Sequence, residues 1–203
     1  LKTLMALVNK SLIRRDASSG RYEIHELLRQ YAAEQLQQLP DEQRATCDRH
    51  CTFYMAFMVQ RQQMLLREGK PQEAIQEMER ELANELLAWR WAVEHERYAD
   101  IERVGEGVSA FYLLRGLNRD GAEIFRWAAG VLRVRTSQPG DQRQKTLAFC
   151  LNYAADCLIF WGDRESGEAL VDESLAILRR MPPNKFFSHA LMLKLKVTLD
   201  HQV

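Results

Sequence analysis

The chain has 203 residues, 46% hydrophobic and 28% charged, with 28 Lys+Arg against 28 Asp+Glu and a formal net charge of zero. That is enough chain to bury a sizeable core in one domain or two small ones, and nothing in the charge balance advertises a strongly basic nucleic-acid surface or an acidic tail. No apolar run approaches the ~18 residues that span a bilayer, and the leading LKTLMALVNKSLIRR carries charge throughout, unlike a secretory signal.

In chain order, residues 1–12 read as a helix with Leu4, Leu7 and Val8 on one side. LIRR and RYEI then flank DASSG, two short strand patterns around residues that favour a turn, so a hairpin is expected. A helix follows over 26–39 and stops at Pro40. Helical patterns cover 42–66 and 72–95, broken by REGKP. Ile101, Val104, Val108, Phe111, Tyr112 and Leu114 form an amphipathic stripe. After RTSQPGDQR, a plain linker, Leu147, Leu151, Ala154, Leu158 and Trp161 share a face, as do Leu170, Val171, Leu175 and Leu178. LMLKLKVTLDHQV carries no stop signal, and Leu1 already lies in a helical pattern, so the chain reads as a piece of a longer protein.

The four cysteines, Cys47, Cys51, Cys150 and Cys157, are expected to pack as small hydrophobes rather than to pair. Cys47, His50 and Cys51 fall at i, i+3 and i+4, but a fourth zinc ligand is missing from the pattern. Trp89 and Trp91, at helical spacing, are read as core. No catalytic site and no metal site are assigned: the chain has no GxxxxGK[ST] loop, GxSxG elbow or HExxH. Residues 1–36 hold six Lys/Arg against four Asp/Glu, a small excess for a wing that grips phosphate, so Arg14, Arg15 and Arg21 read as a solvated hairpin and direct DNA binding is not expected.

Serial helical hairpins call for a repeat test. Aligning Gly116 with Gly162 pairs Ser109 with Ala155, Gly121 with Gly167 and Ala128 with Ser174, all small. The same register pairs the bulky Tyr112 with Leu158 and Phe125 with Val171. Antiparallel helices cross closely only where side chains are small, with bulky residues plugging the gaps alongside. This register resembles the tetratricopeptide repeat. The 46-residue offset between the two glycines is longer than the repeat's usual ~34 residues, and the aromatic near the start of the first helix is missing. A degenerate third copy can be placed at Gly69, with Ala74 and Met78 in register but Gln62 and Glu81 at its other small positions. The resemblance assigns Glu106, Ala110, Leu113, Asn152, Asp156 and Ile159 to a concave groove that takes a peptide, protein or small-molecule inducer.

In YEIHELLRQYA, alternation around Glu23 gives way within one residue to helical spacing of Leu27, Leu28, Tyr31 and Ala32, with His25 on the joint. This segment, with the upstream LVNKSLIRR, resembles the strand-to-helix element centred on Met-His-Asp in signal-transduction NTPases with numerous domains. That family includes bacterial regulators related to the maltose-operon activator and to antibiotic regulatory proteins, together with apoptotic and plant immune ATPases. Ile24 and Glu26 stand where the motif's commonest form has Met and Asp. The resemblance implies that His25 reaches an ATPase core outside this chain and bonds the β-phosphate of its ADP, a charge-assisted contact contributing about 1.5–3 kcal/mol. No cofactor is expected in the chain itself; ADP/ATP is implied for the longer protein.

The expected fold is mainly α: the C-terminal half of a winged helix with one β-hairpin over 1–39, a helical linker or degenerate hairpin over 40–96, and a tetratricopeptide-like α-solenoid over 97–203. The expected function is a non-catalytic regulatory and sensor segment of a nucleotide-switched, cytoplasmic bacterial transcription regulator, partnered by its own ATPase core and by an inducer, with no membrane. Two alternatives stay open: a winged-helix DNA-binding module with helical dimerisation, and a plain protein-interaction scaffold.

Overall fold

The computed structural model describes residues 2–17, 20–134 and 142–200. The linker RTSQPGDQR falls largely outside the described residues, as do Ser18 and Ser19 of the hairpin turn. The chain divides into two compact units, Leu1–Asp48 and Arg49–Val203.

In the first unit, helix α1 (Lys2–Asn9) is shorter than expected. It ends before Ser11, whose φ of 57° lies in the left-handed region. Strands β1 (Ile13–Arg15) and β2 (Tyr22–Ile24) then pair antiparallel, Ile13 opposite Ile24 and Arg14 opposite Glu23. The Arg14 guanidinium meets the Glu23 carboxylate across the strands at 2.7 Å. Asp16 N–H donates to Arg21 O at 2.8 Å and Gly20, at φ +69°, returns its N–H to Asp16 O at 2.9 Å, closing the turn. Helix α2 (Glu26–Gln37) follows β2 directly and ends two residues before the expected 39. Pro40 starts the next helix, α3 (Pro40–Leu66), rather than merely stopping α2. A proline at the first helical position has no N–H to lose, and Asp41 and Glu42 suit the positive end of the helix dipole. No described side chain of residues 2–48 is buried.

In the second unit, helix α4 (Pro71–Glu94) precedes α5 (Tyr98–Leu114), α6 (Asn118–Val134), α7 (Gln142–Trp161), α8 (Arg164–Leu178) and α9 (Lys185–Asp200). Helix α7 forms the centre: residues on every side of it are buried, and it packs on α5, α6, α8 and α9. Gly69, Gly116 and Gly162, the three aligned turn glycines, all take positive φ (+67°, +69° and +99°). All ten residues of the small-and-bulky register are buried. A Cβ on Gly121 would lie 2.8 Å from Tyr112 Cβ, and one on Gly167 would lie 2.7 Å from Ile159 Cγ1. The close crossings of α5 with α6 and of α7 with α8 therefore depend on those missing methyls.

An aromatic chain runs through this core. Trp89, Phe125, Tyr153, Phe149 and Phe186 contact in sequence with ring centroids 5.4, 5.4, 4.8 and 5.0 Å apart, joining α4, α6, α7 and α9. Such pairs add about 0.5–1.5 kcal/mol each beyond area burial. Trp89 is core as expected, whereas Trp91 is half-buried and stacks on His95 at 3.6 Å. Leu114 and Trp161 depart from their expected faces. Each sits at the last residue of its helix, and they are 58% and 52% exposed. Cys51, Cys150 and Cys157 are buried, and none of the four cysteines is in a disulfide. The Cys51 thiol donates to Ala88 O at 3.4 Å and His50 Nε2 lies 3.5 Å from Asn84 Oδ1, so both turn toward α4.

Candidate functional site

His25 is the N-cap of α2, with extended backbone (φ −63°, ψ 137°). Its Nδ1 accepts from the Leu27 N–H at 3.3 Å, satisfying one of the amides that a helix start leaves bare. A neutral imidazole that accepts at Nδ1 carries its proton on Nε2, which is thereby a donor. The residue is exposed and sits beside a concavity of about 670 Å³ lined by Val8, Leu12, Arg14, Arg15 and Glu23. The adjacent Glu26 is held by the Arg29 guanidinium at 2.6 Å and by the Gln30 amide at 2.9 Å. Those bonds, Arg29's first, pull its carboxyl down to about 2. Glu26 is thus charged but matched, and its repulsion of an anion near His25 is blunted.

The second unit gathers four of the six expected groove residues. Glu106, Ala110 and Leu113 on α5 and Asp156 on α7 line one concavity of about 390 Å³, closed on its far side by Lys185, Phe186, His189 and Met192 of α9. Asn152 and Ile159 do not line it. Asn152 is fully buried beneath the start of α9, its Nδ2 donating to Phe186 O at 2.8 Å. Ile159 is 6% exposed and fills the space left by Gly167. Ile159 is taken up by the α7–α8 crossing at Gly167; for Asn152 the physical reason is instead α9, whose start folds over α7.

That same helix supplies what the sequence reading did not anticipate. His189 stands 5.0 Å from the Tyr153 ring. Burial pushes the Asp156 carboxyl up and the His189 imidazole down, each partly countered by the other's charge. Among the described residues no hydrogen bond or ion pair occupies the side chains of Glu106, Asp156 or His189. The concavity therefore presents open polar groups over an apolar floor of Ala110, Leu113 and Phe186. The signal for α9 was in the sequence: Phe186, Ala190, Leu193 and Val197, all buried, repeat at helical spacing. Among the described residues, no group of three or more His, Cys, Asp or Glu is placed to hold a metal ion, and no helix is long and apolar enough to cross a membrane.

No protein-family model, curated protein or solved structure matches the chain.

Proposed function

We propose that this chain is a non-catalytic regulatory segment of a nucleotide-switched signalling protein, a transcription regulator in its most specific form. Residues 1–39 would be the tail of a winged helix and the helices after them a tetratricopeptide-like sensor. In this reading, occupation of the α5–α7–α9 concavity by a peptide or small inducer biases the arm that carries His25. His25 in turn holds ADP on an ATPase core outside the chain.

The observation that carries the proposal is the His25 ring. Its Nδ1 is committed to the Leu27 amide, at 3.3 Å, while the residue stays exposed at a strand-to-helix joint. A donor held this way needs no reorganisation to meet a phosphate oxygen, and one such bond is worth about 1.5–3 kcal/mol. That matches the ~1–3 kcal/mol of ordinary allosteric coupling. Protonating the ring would put a hydrogen on Nδ1 and break the cap, so the neutral form serves both roles.

The test separates cap from latch. His25→Asn retains a good N-cap and removes the imidazole. In the longer protein with its ATPase core, this variant is expected to bind ADP roughly 10–100-fold more weakly with α2 intact. Unchanged ADP affinity refutes the latch and leaves His25 a cap.

A further inference from the structure

Two polar groups of α4 lie in the core without partners. The Glu85 Oε1 and the Trp89 Nε1 are buried and meet no hydrogen-bond partner among the described residues, and the two residues are 4% and 2% exposed. Being four residues apart, they share one face of the helix. Burial, with the Glu81 charge adding to it, raises the Glu85 carboxyl to about 8, so it is neutral at pH 7. An acid and an indole N–H stranded side by side are costly, and such groups in native structures call for an explanation.

The space around them supplies one. Glu85 lines a narrow inner recess of about 10 Å³. An outer concavity of about 380 Å³ between α4, α5 and α6 shares Leu82, Leu86, Trp89, Tyr112 and Ile124 with that recess. Trp127 completes its wall, under the Arg90 guanidinium at 5.7 Å. The outer volume falls within the range of small-molecule clefts, and the inner one holds a single polar group of about the size of one water.

We propose that this concavity binds a small aromatic molecule whose one hydroxyl enters the recess, donating to Glu85 and accepting from the Trp89 N–H. The chemistry selects the head group. With the Glu85 proton on Oε2, Oε1 is an acceptor, and a hydroxyl is a compact group that donates to it and accepts from the indole N–H through one atom; an ammonium would leave the indole N–H bare. A carboxylate would face Asp120 and Glu123 at the mouth. The walls of Trp89, Tyr112 and Trp127 select the body, since flat rings stack on aromatic faces. The site shares no lining residue with the α5–α7–α9 concavity and does not depend on the proposed switch.

The probe is p-cresol, with toluene as its hydroxyl-free counterpart, titrated at pH 7 while the indole N–H resonances of the four tryptophans are followed by NMR. Single Trp→Phe variants assign the peaks. The Trp89 resonance is expected to shift saturably with p-cresol, and toluene to bind at least ~10-fold more weakly because it leaves both groups unpaired. Glu85→Leu should bring that preference close to unity. Glu85→Gln, which keeps an acceptor of the same size, should preserve it. A Trp89 resonance that p-cresol does not move means that the recess holds only water, and the proposal fails. It fails equally if toluene binds as well as p-cresol, or if Glu85→Gln abolishes the preference.

Discussion

Gly121→Ala is the substitution that most sharply examines how the second unit is packed. An added Cβ would sit 2.8 Å from Tyr112 Cβ and 3.1 Å from both Tyr112 Cγ and Cys157 Sγ. Tyr112 Cβ is one bond from the backbone, so relief requires α5 and α6 to part rather than a side chain to swing. Overpacking of this kind costs about 1–3 kcal/mol. The same change also gains the helix propensity of alanine over glycine, about 0.5–1 kcal/mol. Gly130 isolates that gain: it lies in the same helix, and its Cβ would meet nothing within 4 Å. In the difference between Gly121→Ala and Gly130→Ala the propensity cancels, leaving the clash alone, about 1–3 kcal/mol. Urea unfolding reads it as a lower midpoint for Gly121→Ala and a raised one for Gly130→Ala at constant slope. Equal stabilisation by both would mean that α5 and α6 do not cross closely at this point.

Glu85 makes stability depend on pH. Its carboxyl titrates near 8 when folded against a reference of 4.5, so the folded state gives up stability as pH rises through that window, by up to about 5 kcal/mol in all. Glu85→Gln should flatten the profile between pH 4.5 and 8 and raise stability at pH 8; a variant with the same slope as the parent would contradict the burial argument. Asn152→Ala leaves the Phe186 carbonyl without the donor that now lies 2.8 Å away, at a cost of about 1–3 kcal/mol. Hydrogen exchange should show it first in α9, and unchanged α9 protection would mean that this bond does not fasten the helix.

Much of the second unit was legible because most of its helices bury one stripe each, the central α7, buried on every side, being the exception. The small-and-bulky register could be read from spacing alone, since close crossing constrains residue size more than residue type. What escaped detection has physical causes. Leu114 and Trp161 continue their stripes on paper, yet each closes its helix, where no neighbouring helix remains to cover it. Asn152 looked like a groove residue because nothing in α7 itself shows that α9 folds back over it. His189 was visible as a histidine, but its place opposite Asp156 depends on that same fold-back. Glu85 was invisible for another reason: a charged residue in a helix is ordinarily solvated, and only the burial of Trp89 one turn later reveals its face as the inner one. In the first unit, the alternation of Tyr22 and Ile24 placed His25 at a strand end, and β2 and α2 meet there.

The claim that the α5–α7–α9 concavity and His25 belong to one switch is most directly tested by ADP affinity in the longer protein, measured with the concavity plugged by Ala110→Trp, with and without His25→Asn. The account predicts a shift of roughly 5–150-fold on plugging, the range of ordinary coupling energies, and its disappearance in the His25→Asn background. ADP affinity indifferent to the plug, or shifted equally in both backgrounds, would contradict it.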